Sequence, residues 1–269
     1  MNRFVRLSAT ALGACLVLGS CSDSPTDTTK WTLVWADEFE GAAGSLANSA
    51  DWKFDVGTDW GNAQLEYDTD RAENASLDGS GHLVITAKKE SYQGSQYTSA
   101  RITTEGKHTF QYGKIEARMK LPGGRGLWPA FWLLGANKPT VGWPASGEID
   151  IMEYRGQAPS TVIGTIHGPG YSGGSAVTKS KTLTATRFDN SFHVFTVEWS
   201  AERIDFFVDG LLYHAITKDK VPGPWVFDHP FYIILNVAVG GNFVGAPDVF
   251  TPFPQTMVVD WVRVYELGQ

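Results

Sequence analysis

The chain has 269 residues, 13% of them aromatic, with 29 glycines and 10 tryptophans, a composition that fits one large packed domain or two small ones and excludes a disordered polypeptide. Its formal net charge is −7, and without Arg3 and Arg6, which sit in a leader, 20 basic residues face 29 acidic ones, or −9. That sign argues against a nucleic-acid partner, whose phosphates need a basic face, and leaves a neutral ligand compatible.

The N-terminus pairs a short basic region, Arg3 and Arg6, with an apolar run from Leu7 to Gly19 that is too short for a stable membrane span. It reads as a secretory signal over residues 1–20. Leu18-Gly19-Ser20-Cys21 resembles the lipobox of bacterial lipoproteins, in which the cysteine becomes the acylated first residue, so Cys21 is the expected lipidation site. Leu12-Gly13-Ala14-Cys15 matches almost as well, but cleavage there leaves a very short apolar region. Ordinary secretion with an incidental cysteine is the competing reading. An anchored chain would sit in the periplasm or on the cell surface, held to a membrane through Cys21. Both cysteines fall in this leader, so the folded part holds no disulfide and no thiolate metal site.

Residues 21–30 are polar and read as a tether. From Trp31 onward, short β-type runs alternate with turn residues, and no amphipathic helix stands out. The predicted strands are Thr32 to Phe39, His82 to Lys88, Ser99 to Thr104, Gly113 to Leu121, Ala130 to Leu134, Gly147 to Tyr154, Thr161 to His167, Phe192 to Trp199, Arg203 to Val208, Leu211 to Ile216, Phe231 to Val237 and Met257 to Tyr265. Asp209-Gly210 marks a tight hairpin, since glycine supplies the positive φ, and Asp78-Gly79 marks another turn. With no internal repeat and no later linker, residues 31–269 form one all-β domain, a sandwich of two antiparallel sheets. A monomer is expected.

Gly147 to Tyr154 reads Gly-Glu-Ile-Asp-Ile-Met-Glu-Tyr and carries three carboxylates, Glu148, Asp150 and Glu153. Side chains alternate along a strand, so Glu148 and Asp150 share a face while Glu153 points to the other. A β-bulge at Ile151-Met152, with Met152 the residue it absorbs, restores the phase and puts all three on one face. The two glutamate Cα atoms then lie roughly 13 Å apart at ~3.3 Å per residue, so their carboxyls meet only across a concave surface.

Two carboxyl groups flanking a glycosidic bond suffice for its hydrolysis, one at the anomeric carbon and one protonating the leaving oxygen. A third between them hydrogen-bonds the nucleophile, and crowding raises a pKa, as a general acid requires. A solvated acidic face is the plainer reading, but like charges lined along one face weaken a strand. Trp128-Pro-Ala-Phe-Trp132 and Trp143 lie just before it, and flat indoles suit the apolar faces of sugars.

Glu148-Ile-Asp-Ile-Met-Glu153 resembles the catalytic signature of glycoside hydrolase family 16, in the form with one inserted residue typical of laminarinase-type members. The likeness runs through Trp35-Ala-Asp-Glu-Phe39, Trp60-Gly-Asn-Ala-Gln-Leu-Glu-Tyr67, Ser99-Ala-Arg-Ile102, Trp128-Pro-Ala-Phe-Trp132, Gly164-Thr-Ile-His-Gly-Pro-Gly-Tyr171 and Val259-Asp-Trp-Val-Arg-Val-Tyr265. It implies a concanavalin-like jelly-roll sandwich and retaining endo-hydrolysis of β-1,3-glucosidic bonds in laminarin-type β-glucans. On it, Glu148 is the nucleophile, Glu153 the acid/base and Asp150 the assisting carboxylate. Asn62, Arg101, Trp128, Trp132 and His167 fall where such members line sugar subsites, with Trp143, Asn236 and Asn242 as further candidates. No cofactor is implied for catalysis. Many members hold a structural Ca²⁺, and the matching positions are Glu38 and Gly81, through backbone carbonyls, and Asp260, through its side chain. The chain departs from the family at Ala63-Gln-Leu-Glu66, where Asn-Glu-Leu-Gln is common.

Three rivals remain at this point. Gly170-Tyr-Ser-Gly-Gly174 fits G-x-S-x-G, but the serine-hydrolase elbow needs a strand before it and a helix after it, and Ser175 to Ser180 offers no helix. A non-catalytic glucan-binding protein would be expected to have lost a catalytic acid, and both glutamates are present. Within the family fold, licheninase activity on mixed-linkage β-1,3-1,4-glucan, or cleavage of another polysaccharide such as a galactan, is the alternative.

Overall fold

Every second residue of Gly113–Lys120 and of Leu83–Ala87 is buried, as befits strands with one face on a core. The computed structural model describes residues 31–268, so Cys21 and the leader and tether expected over residues 1–30 lie outside the described residues. Two antiparallel sheets carry the fold. The first runs in space through Leu211–Thr217, Arg203–Val208, His193–Trp199, Gly113–Lys120, Gln255–Leu267, Leu83–Ala87 and Ala75–Leu77, with Trp31–Asp37 also paired to Gln255–Leu267. The second, called the cleft sheet below, runs through Val177–Thr182, Thr161–His167, Glu148–Tyr154, Leu127–Gly135, Phe231–Val239, Arg101–Thr103 and Lys53–Asp55. Glu66–Asp68 and Tyr97–Ser99 form a short parallel pair. The all-β sandwich expected from the sequence is the observed architecture.

Between the sheets lies one apolar core. Ile149, Ile151, Met152 and Tyr154 join Phe231, Ile233, Leu235, Val237 and Val239 against Ile115, Ala117, Met119, Val262 and Val264. Each Ile, Leu, Val, Phe or Met side chain among them, fully buried, contributes about 1.5–3 kcal/mol. Phe231–Val239 is buried at all nine positions, because its outward residues are covered as well. Trp128 with Ala238 and Val244, and Leu134 with Tyr232 and Ile234, form small apolar clusters on that outer face. These clusters floor the cleft.

Asp209 and Gly210 have φ of 50° and 75°, giving the expected tight hairpin between Arg203–Val208 and Leu211–Thr217. Other boundaries differ from expectation. The run Ser99 to Thr104 divides at Ala100 between the parallel pair and the cleft sheet. The strand expected from Ala130 starts at Leu127 and includes Pro129. Pairing with Glu148–Tyr154 stops at Ala130, so no ladder bond on that side needs the missing N–H of Pro129. Lys53–Asp55, Glu66–Asp68 and Ala75–Leu77 are too short for a pattern of apolar and polar residues to mark them in the sequence, and Val177–Thr182 is a polar edge strand carrying two lysines.

Candidate active site

The acidic strand begins after Gly147, whose φ of 68° and tight setting require glycine; a Cβ there would lie 2.9 Å from the Phe231 ring and 3.0 Å from the Val226 carbonyl oxygen. Glu148 pairs with His167 and Asp150 with Thr165, but Glu153 pairs with Ile163, so three steps on one strand match two on its neighbour. Toward Leu127–Gly135, Asp150 pairs with Trp132 and Met152 with Phe131. The bulge is therefore present where the spacing placed it, with one correction: on this side Ile151 lacks a partner and Met152 keeps one. Ile151 and Met152 both enter the core, which turns Glu148, Asp150 and Glu153 together to the opposite face.

That face is recessed. Asp150 is only 3% exposed although it points away from the core, while Glu148 and Glu153 are half-buried. Burial pushes each of the three carboxyls up to about 8, with the Asp150 charge adding to the rise at both glutamates. Asp150 and Glu148 are hydrogen-bonded to each other, so protons are shared across the group. Trp143 Nε1 donates to Glu148 Oε2 at 3.0 Å, and Trp128 Nε1 donates to Glu153 Oε1 at 3.1 Å. Each glutamate thus has one oxygen fixed by an indole and the other left for chemistry.

His167 Nε2 lies 3.1 Å from Asp150 Oδ2 and 3.6 Å from Glu148 Oε1. Its Nδ1 accepts from the Gly173 N–H at 3.1 Å, which places the ring proton of a neutral imidazole on Nε2, facing the carboxylates. One donor atom each from Glu148, Asp150 and His167 lie within 4.8 Å of one another, close enough to hold a cation. A metal ion seated there would occupy an oxygen of Glu148 and one of Asp150.

The remaining candidates line the sheet beyond this point. Trp132 Nε1 donates to Asn236 Oδ1 at 2.8 Å, and the Arg101 guanidinium sits 4.9 Å from the Trp132 ring centre while its Nε donates to Asp55 Oδ2 at 3.1 Å. Trp143 is 45% exposed and tilts over His167 with ring centres 5.8 Å apart. Asn62 and Asn242 meet through their backbones, Asn242 N–H donating to the Asn62 carbonyl at 2.8 Å, and both residues are exposed.

The positions matched to a structural Ca²⁺ also converge, on the other sheet. The Glu38 carbonyl oxygen lies 3.8 Å from where a Cβ on Gly81 would stand, and His82 Nε2, one residue on, lies 3.8 Å from Asp260 Oδ1. Asp260 Oδ2 is taken by Arg118, and the Glu38 carboxylate is held by Arg263 at 2.8 and 2.9 Å. Oxygen donors from distant segments suit that cation, while the Arg118 charge weakens the site.

The model of the glycosyl hydrolases of family 16 matches residues 56–263. The chain belongs to this family. A β-glucanase of Rhodothermus marinus is 41% identical over 277 residues, covering 98% of this chain and 94% of that protein. The solved laminarinase catalytic domain from Thermotoga maritima superposes with a TM-score of 0.84 at 48% identity, over 89% of this chain and 99% of that one. The endo-β-1,3-glucanase from Pyrococcus furiosus gives 0.85 at 48% identity, over 90% and 97%. The sandwich is accordingly the jelly roll of family 16.

In this family 16 chain Gly170-Tyr-Ser-Gly-Gly174 is a turn passing into the single 3-10 turn Gly173–Ser175 and then the edge strand Val177–Thr182. No nucleophile elbow exists there. Sequence reasoning missed Trp60, 36% exposed at the Arg101 end of the cleft sheet, and the buried carboxyls Glu66 and Asp68 beneath it. A tryptophan before the Asn62 loop was the available signal; nothing in Glu-Tyr-Asp announces burial.

Raised carboxyl pKa values make the site costly to the fold. Between about 4.5, the ordinary glutamate value, and about 8, the folded chain binds more protons here than the unfolded chain, so stability falls as pH rises through that window. Glu148→Gln is expected to match the parent's Tm near pH 4 and to exceed it by roughly 5 °C at pH 8, an effect of a few kcal/mol on a domain of this size. Calorimetry across this range checks it; a constant Tm difference would show that the carboxyl carries no such penalty.

Proposed function

We propose that the chain cleaves internal β-1,3-glucosidic bonds of laminarin-type β-glucans with retention of configuration. The observation that carries this reading is the pair of glutamates turned by the bulge to one recessed face, with Asp150 between them and an indole N–H on each. Glu148, ionised, attacks the anomeric carbon; the glycosidic C–O bond breaks as Glu153 gives its proton to the leaving oxygen. Glu153, now a carboxylate, takes a proton from water, and the hydroxide formed displaces Glu148, restoring both groups. Asp150, hydrogen-bonded to Glu148, and His167, whose Nε2 faces both carboxyls, hold Glu148 in place, and a proton kept on Asp150 removes the repulsion that its charge would exert as the ester forms and breaks.

The substrate assignment rests on family membership and on the tryptophans along the cleft, and laminarinases and β-glucanases are among the relatives it matches. Product profiling on laminarin, lichenan, agarose and carrageenan tests it. Laminarin should give oligosaccharides of mixed length, lichenan should be cut more slowly as a secondary substrate, and the galactans should be untouched. Cleavage of galactan without glucan activity would overturn the assignment.

A lipid anchor at Cys21, holding a monomer in the periplasm or at the cell surface, is supported by the lipobox-like sequence. Palmitate labelling lost in Cys21→Ser tests it. A structural Ca²⁺ at Glu38, Gly81 and Asp260 is supported by the convergence of those segments. Millimolar Ca²⁺ should raise the Tm of chelator-treated protein and leave that of Asp260→Ala unchanged; no rise in either would remove the site.

A further inference from the structure

Glu66 and Asp68 are each 2% exposed, yet the catalytic scheme uses neither. Glu66 has a structural task, since its Oε2 accepts from the Val239 N–H at 2.7 Å and ties the parallel pair to the end of Phe231–Val239. Asp68 does something else. Its Oδ2 accepts from Trp60 Nε1 at 2.8 Å, while its Oδ1 is buried without a partner. Its backbone is bonded both ways to Gly57, at 2.7 and 2.9 Å, so the carboxyl is rigidly placed. Burial, with the Glu66 charge beside it, raises Asp68 well above the carboxylate range, which suits a neutral acid that serves as an acceptor and leaves one oxygen unpaired.

What Asp68 holds is an exposed indole. The Arg101 guanidinium lies 5.1 Å from the Trp60 ring centre and 4.9 Å from that of Trp132, so the two tryptophans flank one cation that is itself fastened to Asp55. Register carries the Arg101 and Trp60 end of this group away from the chemistry, while Trp132 pairs with Asp150: Glu153 pairs with Ala130, Ala130 with Asn236 and Asn236 with Arg101. Three strand steps at ~4.8 Å put the Arg101 strand roughly 14 Å from the strand that carries Glu153. An indole fixed by a buried hydrogen bond beside Arg101 meets only a substrate that extends past Trp132 from the cleaved bond.

We propose that Asp68 is a positioning residue that holds Trp60 as a platform for a sugar ring remote from the cleaved bond, making the enzyme selective for long glucan chains. The inference rests on the glucanase reading above. Binding energy from a remote ring counts toward the reaction of substrates that reach it and toward no others.

The test compares a long laminari-oligosaccharide with a short aryl laminaribioside, and measures binding of the long one to the inactive Glu148→Gln parent by calorimetry. Asp68→Ala and Trp60→Ala are each expected to lower the long-to-short ratio of kcat/KM about tenfold, the effect of one ring contact of about 1.4 kcal/mol. The pair should be no worse together than either alone, because both remove one contact. Asp68→Asn keeps an acceptor for Trp60 Nε1 and should restore the parental ratio. In the Glu148→Gln background, Asp68→Ala should weaken binding of the long chain by the same factor. An unchanged ratio in Trp60→Ala, additive losses in the pair, or equal binding with and without Asp68 would overturn the proposal. Should Asp68→Ala fail to fold, the Trp60→Ala and Asp68→Asn comparisons decide it. Failure of the Glu148→Gln parent to bind any glucan would instead overturn the substrate reading and the proposal with it.

Discussion

Glu148→Gln is expected to lower turnover of laminarin by roughly 10⁴-fold to 10⁶-fold while leaving glucan binding intact, as removal of a covalent nucleophile does elsewhere. The reason lies in the strand. Glu148 follows Gly147 directly, its Oε2 is fixed by Trp143, its other oxygen faces His167 Nε2 at 3.6 Å, and Asp150 is hydrogen-bonded to it. An amide in the same place keeps the shape and most hydrogen bonds but cannot form the ester. Steady-state kinetics with calorimetric binding checks both halves, and turnover within tenfold of the parent would remove Glu148 from the reaction.

Glu153→Gln should behave differently. Loss of the general acid is expected to cost roughly 10²-fold to 10⁴-fold on laminarin, whose leaving group is a sugar hydroxyl that needs a proton. On an aryl glycoside with a strongly acidic phenol the first step should be nearly spared, and the glycosyl-enzyme should accumulate as a burst. Added azide should then restore turnover and yield a β-glycosyl azide. Trp128 holds Glu153 Oε1, and burial with the nearby Asp150 raises its carboxyl to about 8; Glu148 and Asp150 are raised alike, so the trio shares protons at neutral pH, and the one on Glu153 is the one given to the leaving oxygen. Equal losses on laminarin and on the aryl glycoside would contradict the role.

The odd spacing of Glu148, Asp150 and Glu153 made the bulge legible before any coordinates, because no regular strand serves all three. Which residue loses its partner was not legible. Ile151 and Met152 are adjacent, apolar and both committed to the core, and only the register against Phe131 shows that Met152 stays paired. The break at Ala100 was hidden for a related reason: one continuous β-type run supplies two short strands, and tertiary pairing alone divides it. Of the predicted site residues, Trp128, Trp132, Trp143, His167, Arg101 and Asn236 are carried near the carboxylates or along the same sheet face. Asn62 and Asn242 join each other at the rim through main-chain atoms, which no side-chain pattern encodes. Glu66 and Asp68 looked like ordinary acidic residues of a polar segment. Their burial comes from partners far along the chain, Val239 and Arg101, that local sequence cannot specify.

A covalent glycosyl-enzyme on Glu148 is the step on which retention depends. Incubation with a 2-deoxy-2-fluoro-β-laminaribiosyl fluoride, followed by intact mass measurement and peptide mapping, should show one equivalent of glycosyl group added, on the peptide carrying Glu148 and at that carboxyl. A label on another residue, or none under conditions where laminarin is hydrolysed, would contradict it.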